Sequence, residues 1–307
     1  MKSLILIILF VCFNAHAKKF RKNRVDRAHR NFSNGIVYFS NEVDAFFADD
    51  KHAGLPNRSS LKLSFITNFR EASGPYTVPD INYSLVLPRT EKRLRLVLEN
   101  ENEDIQNETY ATNYQRQRAN RNRSPQDSTA AGIRYMVEKS GIKFYQDTGV
   151  IVDVPPKAFV RWTVRKEIML RDWLLKLREQ IRWVNTTGIR STLNIDFDRG
   201  LTRNLLLRMV NDTLWNDTDY TVTFENGPSL FQRIDEKKAL QYHAHVITNN
   251  KPNFEVSNYL LQITYRQNVY KDWLFMNLTP FVNFPRELNF HRTPGFLFRF
   301  DMIFGSI

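Results

Sequence analysis

The chain has 307 residues, a formal net charge of +12, 42% hydrophobic residues and 13% aromatics. Its one cysteine, Cys12, lies in an apolar run at the N-terminus, so the rest of the chain has no thiol for a disulfide, a nucleophile or a metal site. Beyond that run no stretch approaches the roughly 20 apolar residues that a membrane-crossing helix needs, so no helical membrane protein is indicated.

"MKSLILIILFVCFNAHA" opens the chain. One Lys, an apolar run from Leu4 to Phe13 and the triplet Ala15-His16-Ala17 match the three zones of a secretory signal peptide. Cleavage is expected after Ala17. Residues 18–57 follow. The run "KKFRKNRVDRAHR" is basic, and "GIVYFSNEVDAFFADD" carries an amphipathic patch around Val43, Phe46 and Phe47. This stretch is expected to be a short periplasmic segment with a helix in it. It would serve as a tether, a plug or a docking point for a periplasmic partner. The positive charge favours anionic partners such as phosphates, acidic solutes or anionic lipid. An exported chain rarely meets nucleic acid, so none is expected as a partner.

From residue 58 onward the pattern has period two, which is the mark of half-buried β-strands. In "LKLSFITNF", Leu61, Leu63, Phe65 and Phe69 share one face, and Lys62, Ser64 and Asn68 share the other. "RLRLVLE" sets Leu94, Leu96 and Leu98 against Arg93, Arg95 and Glu99. "GIRYMVE" sets Ile133, Tyr135 and Val137 against Arg134 and Glu138. "VRWTVR" sets Val160, Trp162 and Val164 against Arg161 and Arg165, and "LNIDFD" sets Leu193, Ile195 and Phe197 against Asp196 and Asp198. The last strand, "GFLFRFDMIFG", puts Phe296, Phe298, Phe300, Met302 and Phe304 on one face, with Arg299 and Asp301 on the other.

Fourteen such windows are expected, near 58–72, 78–87, 91–101, 129–138, 142–152, 157–169, 173–184, 188–198, 202–212, 218–233, 238–248, 255–267, 272–283 and 294–304. Twelve is the alternative count. Short links such as "EKSG", "LRDW" and "DRGLT" alternate with longer polar ones: 102–128, "NDTLWNDTD", "NNKPNFE" and "FPRELNFHRTP". Short turns on one side and long loops on the other fit a transmembrane barrel. Trp173, Trp183, Trp215 and Trp273 stand near strand ends, where aromatic girdles lie. A bilayer requires every backbone group to be paired, and strands meet that requirement only by closing. A secreted β-sandwich also alternates and is the competing reading. The fold expected is all-β: a transmembrane antiparallel up-and-down barrel over residues 58–307.

A signal peptide, alternating strands and an aromatic-rich last strand together resemble the bacterial outer-membrane β-barrel proteins. Phe304 is followed by "GSI", whereas many of that class end on Phe. The resemblance implies a fold and a place in the outer membrane, and no specific activity.

The candidate site residues follow from the alternation. Arg93, Arg95, Arg134, Arg161, Arg165, Arg182 and Arg299 are expected to line the lumen, with Glu99, Glu138, Asp196, Asp198 and Asp301 as the acidic set. Lys176, Arg178, Arg208 and Glu225 share those faces. Two readings stay open: cross-strand ion pairs that stiffen the barrel, or a basic constriction that favours anions. In loop 102–128, Arg116, Arg118, Arg121 and Arg123 are either solvated or dock on lipopolysaccharide phosphates. His243 and His245 alternate toward the lumen. Two histidines with no third ligand in view are a weak metal signal, and no nucleophile motif stands out. No metal, no cofactor and no catalysis are expected. The leading function is a passive narrow channel for small solutes with a weak anion preference, in a monomer surrounded by outer-membrane lipid. A non-conducting scaffold or partner-binding barrel is the alternative, and an outer-membrane lipid-modifying enzyme is the less favoured one.

Overall fold

The computed structural model describes residues 24–47, 59–70, 73–87, 93–100 and 129–305. Residues 1–23, which include the expected signal peptide, and loop 102–128, with Arg116, Arg118, Arg121 and Arg123, lie outside the described residues. One long helix, α1 (Arg24–Phe47), precedes fourteen strands. They are β1 (Ser60–Arg70), β2 (Ser73–Val86), β3 (Leu94–Asn100), β4 (Thr129–Lys139), β5 (Ile142–Val152), β6 (Lys157–Leu170) and β7 (Trp173–Val184). The second half continues with β8 (Gly188–Thr202), β9 (Leu205–Asn216), β10 (Thr221–Arg233), β11 (Lys238–Asn249), β12 (Glu255–Tyr270), β13 (Leu274–Pro285) and β14 (Thr293–Gly305). Each strand pairs antiparallel with its sequence neighbours. β1 also pairs with β14, from Ser60–Gly305 to Arg70–Gly295, and the sheet closes.

All fourteen expected strands are present, and several run longer than their alternation. The link "NDTLWNDTD" is mostly strand: β9 continues to Asn216, and residues 217–220 make the turn. Its polar residues hide the alternation because they fall on both faces, Asp212 on the inward side with Arg208 and Asn211 on the outward side with Met209. Asp212 accepts a hydrogen bond from the Asn194 amide at 2.6 Å. The N-terminal helix is also longer than the short one expected, with 24 residues.

The even strand count returns β14 to the rim where β1 starts. That rim carries the turns at 140–141, 171–172, 203–204, 234–237 and 271–273. Ser140 (φ 53°) and Gly141 (φ 73°) both take the left-handed conformation that a tight two-residue hairpin requires. The opposite rim carries the links at 153–156, 217–220, 250–254 and 286–292. By the convention of such barrels the short-turn rim is periplasmic.

Side chains separate by face as the alternation requires. Phe65, Phe69, Ile133, Tyr135, Trp162, Trp183, Leu261 and Ile263 are all exposed on the outside. On β14 the outward ring of Phe298 meets Phe300 edge-on at 4.9 Å, and Phe304 stacks on Trp273 at 5.6 Å near the periplasmic rim. The interior is polar by comparison. Arg95, Asn194, Asp196, Asp198, Arg208, Arg266 and Asp301 are all at most 2% exposed. Small apolar pads interrupt it, such as Ile247, Leu260, Phe281 and Leu297. Apolar outside and polar inside is the reverse of a soluble sandwich, and it suits a closed sheet in lipid.

This register makes a sharp prediction on β6. Trp162 is 40% exposed outside, while Arg161 is buried inside and the Arg165 guanidinium lies 5.6 Å from the Tyr145 ring. Val164 shares the outer face with Trp162. Val164→Arg therefore puts a charge in the lipid band, at a cost of about 2–4 kcal/mol near the midplane. Heat-modifiable migration on a denaturing gel is expected to show less folded protein for Val164→Arg and a normal yield for Arg165→Ala. The reverse pattern would mean the register is displaced by one residue.

Candidate functional site

The helix occupies the barrel. Ile36, Phe39, Ser40, Val43, Asp44 and Phe47 recur at the three- and four-residue spacing that gathers one helical face. All but Phe47 are buried, whereas Tyr38 on the other side is 66% exposed. Phe39 and Val43 pack with Leu206 and Phe231, and Phe47 joins them with its ring 5.6 Å from that of Phe231. Ile36 lies over the bare Cα of Gly200. Phe46 meets Phe275 edge-on at 6.1 Å, with the Arg266 guanidinium 5.9 Å from the Phe46 ring. Every one of these wall residues is near the periplasmic end of its strand, so α1 fills the periplasmic half of the lumen.

Charge fixes the helix more specifically than its apolar face does. Asp44 is 1% exposed and binds two cations: it pairs with the Lys176 ammonium, and Arg208 Nη2 lies 2.8 Å from its Oδ1. Arg208 also grips Asp198 in a fork, with Nε to Oδ1 at 2.6 Å and Nη2 to Oδ2 at 2.7 Å. Ser40 donates to Asp198 Oδ2 at 2.5 Å. β7, β8, β9 and α1 each contribute one of these four charges, and Asp196 of β8, buried and in register with Lys176, adds a third acid beside the two cations. Arg233 adds a pair to Glu42 at 2.5 Å, in a more exposed position. Buried pairs of this kind hold geometry well, because removing one partner strands the others in a poorly solvated place.

Two other networks stiffen the wall. Between β3 and β6, Arg134 bonds Glu99 at 2.9 Å and Asp147 at 2.6 Å, and Arg161 bonds Glu99 at 2.8 Å and Asp147 at 2.7 Å. Across the closing seam, Asp301 of β14 accepts from Ser64 of β1 at 2.8 Å, Arg299 at 2.7 Å and Arg266 at 2.5 Å.

The sequence-expected lumen residues fall as follows. Arg95, Glu99, Arg134, Arg161, Arg165, Arg182, Asp196, Asp198, Arg299 and Asp301 all point inward. Arg93 has the inward parity of Arg95 but stands exposed just ahead of β3, which begins at Leu94, outside the packed interior. Glu138 has the inward parity but stands exposed beside the turn at 140–141, outside the packed interior. Both were read from alternation alone, which carries no depth. Asp44, Ser40 and Arg266 were missed, although the spacing of Ile36, Phe39, Ser40, Val43 and Asp44 marks a helical face that mixes apolar and acidic groups.

At the outer rim, Arg161, Arg182 and Arg190 are in register across β6, β7 and β8. Arg182 and Arg190 line a cavity of about 220 Å³ with Thr187, Asn216, Thr218 and Asp219. Like charges directly opposite one another destabilise a sheet. In this row Arg161 is held by Glu99 and Asp147, and Arg182 and Arg190 share their cavity with Asp219.

No family model and no curated relative matches the sequence. Among solved structures, the chain is similar to OprB of Pseudomonas putida at high pH (8% identity, TM-score 0.48, 80% of this chain and 93% of that one). It is also similar to OmpT of Vibrio cholerae (8% identity, TM-score 0.46, 82% and 99%) and to OccK11 of Pseudomonas aeruginosa (9% identity, TM-score 0.44, 81% and 96%). Its own closure, register and reversed polarity make the chain a closed fourteen-stranded antiparallel β-barrel with a lipid-facing exterior, whose lumen holds the helix α1.

Proposed function

We propose that the protein is a narrow channel for small solutes, weakly selective for anions, closed on its periplasmic side by α1. One observation carries this reading: the helix is held in the lumen through a buried cluster of charges, Asp44 with Lys176, Arg208 and Asp198, and a modest apolar face. A permanent core element would be expected to bury its whole circumference, whereas α1 leaves Tyr38 exposed. A seat that depends on charge is reversible, because water and counter-ions can take the place of each partner. The arginine row at the outer rim supports the anion preference, since rings of Arg or Lys favour anions in pores.

The test is conductance in planar bilayers. The folded full chain is expected to show brief openings from a mostly closed baseline, with reversal potentials displaced toward the anion equilibrium value. Arg182→Ala with Arg190→Ala should shift selectivity toward cations. A chain that carries no current, even after deletion of residues 24–47, would leave the non-conducting scaffold as the better reading.

A further inference from the structure

Four polar groups on β10 and β11 form a chain that a channel does not require. Glu225, Gly227 and Ser229 alternate on one face of β10, as His243 and His245 do on β11. Ser229 is in register with His243. The pairing of Asn226 with Val246 sets Gly227 opposite His245. A Cβ on Gly227 would lie 2.7 Å from Cδ2 of His245 and 2.2 Å from the Ala244 carbonyl oxygen. The bare glycine is what lets the His245 ring lie along β10 and reach both ways. Its Nδ1 is 2.6 Å from Glu225 Oε1, and its Nε2 is 3.0 Å from Ser229 Oγ. His243 Nδ1 approaches the same Oγ at 2.6 Å. Ser229, Glu225 and His245 are all buried.

Hydrogen-bond counting places the protons. A carboxylate only accepts, so His245 donates through Nδ1 and keeps a lone pair on Nε2. Ser229 donates its single proton to that lone pair. His243 must then donate its Nδ1–H to Oγ. The hydroxyl is thus aimed at an unprotonated imidazole nitrogen whose ring is oriented by a carboxylate. Those are the geometric roles of an activated nucleophile, its base and the group that orients the base. Ser229 sits between two histidines that both carry their proton on Nδ1, one donating to the hydroxyl and the other accepting from it.

We infer that Ser229 is a nucleophile toward small carboxylic esters, with His245 as its base and Glu225 as a positioning residue. This goes beyond the channel reading and does not depend on it. Oγ attacks the ester carbonyl carbon as Nε2 of His245 takes the hydroxyl proton. His243 Nδ1–H, already aimed at Oγ, supplies a hydrogen-bond donor beside the oxyanion. The carbonyl re-forms, the bond to the alkoxy oxygen breaks, and the alcohol leaves with the proton from Nε2. Water then attacks the acyl-serine, giving its proton to Nε2. Collapse releases the carboxylic acid, and Oγ recovers its proton. The net reaction is ester plus water to acid plus alcohol. Ser229 is covered in the state seen here. Phe231 meets His243 edge-on at 6.4 Å, and Phe47 of α1 sits on Phe231, so the helix closes the periplasmic approach to the same site.

The test treats the folded full chain in detergent with a small fluorophosphonate and with p-nitrophenyl acetate, and maps adducts by mass spectrometry. A single adduct is expected on Ser229, with p-nitrophenol release well above that of Ser229→Ala. His245→Gln should abolish the adduct. Glu225→Gln should slow adduct formation by about 100-fold or more, in line with triads that lose their carboxylate, and Glu225→Asp should restore part of the rate. No adduct at Ser229 on the folded wild-type chain, or equal ester turnover in Ser229→Ala, overturns the assignment. An undiminished adduct rate in Glu225→Gln overturns the relay. The wild-type adduct map decides the central question even if a variant fails to fold.

Discussion

Asp44→Ala is expected to raise the open fraction of the barrel by about 100-fold, since breaking a buried pair by removing one partner costs about 3–5 kcal/mol and each 1.4 kcal/mol is tenfold in an equilibrium. Asp44 serves two cations, Lys176 and Arg208, so its loss takes a direct counter-charge from both and leaves their positive charge to the barrel wall alone. Asp198 still balances part of that charge, which places the effect at the lower end of the range. The undocked state loses nothing, because there water reaches both cations. Single-channel open probability measures the shift, and protease access to residues 36–47 gives a second readout. An open probability equal to that of the wild type would show that the apolar contacts of Phe39, Val43 and Phe47 hold the helix without the charges.

Removing residues 293–307 is expected to abolish assembly altogether. β14 pairs with β13 on one side and β1 on the other, so its loss exposes two strand edges at once. In lipid those backbone groups have no water to replace their partners, and each unsatisfied group costs several kcal/mol. The deletion also takes Arg299 and Asp301, leaving Arg266 at 0% exposure without its carboxylate. Heat-modifiable migration and protease resistance in outer-membrane fractions report the loss. Asp301→Asn is the milder probe. It keeps the backbone ladder, so it should fold with reduced resistance to heat.

Period-two alternation carried the strand count because lipid imposes it on every strand alike. "GFLFRFDMIFG" could be read from end to end, since each outward residue is apolar and each inward one is Leu297, Arg299, Asp301 or Ile303. Depth was not legible in the same way. Arg93 and Arg95 look equivalent in a two-residue repeat, yet one is exposed before β3 begins and the other is buried. Pairings across the lumen were not legible either. Asp44 and Arg208 are 164 residues apart, and no local pattern says that they meet. Ser229 was invisible for the same reason. Pro228 and Gly227 beside it suggest a break in a strand, whereas the structure uses the glycine to make room for His245. His243 and His245 were noticed as a pair, but their meaning depends on a partner strand that only the register identifies.

Twelve residues separate Phe47 from Ser60. At full extension they reach about 40 Å, so a helix released from the lumen stays within one barrel height of its seat. Reclosure is then a tethered, unimolecular event. A tether of that length gives local concentrations in the millimolar range, far above anything the protein reaches in a membrane. Dilution, lateral density and competing free peptide should therefore have little influence on how quickly the barrel shuts. Lengthening or stiffening the 48–59 link should change closing times and leave opening times untouched.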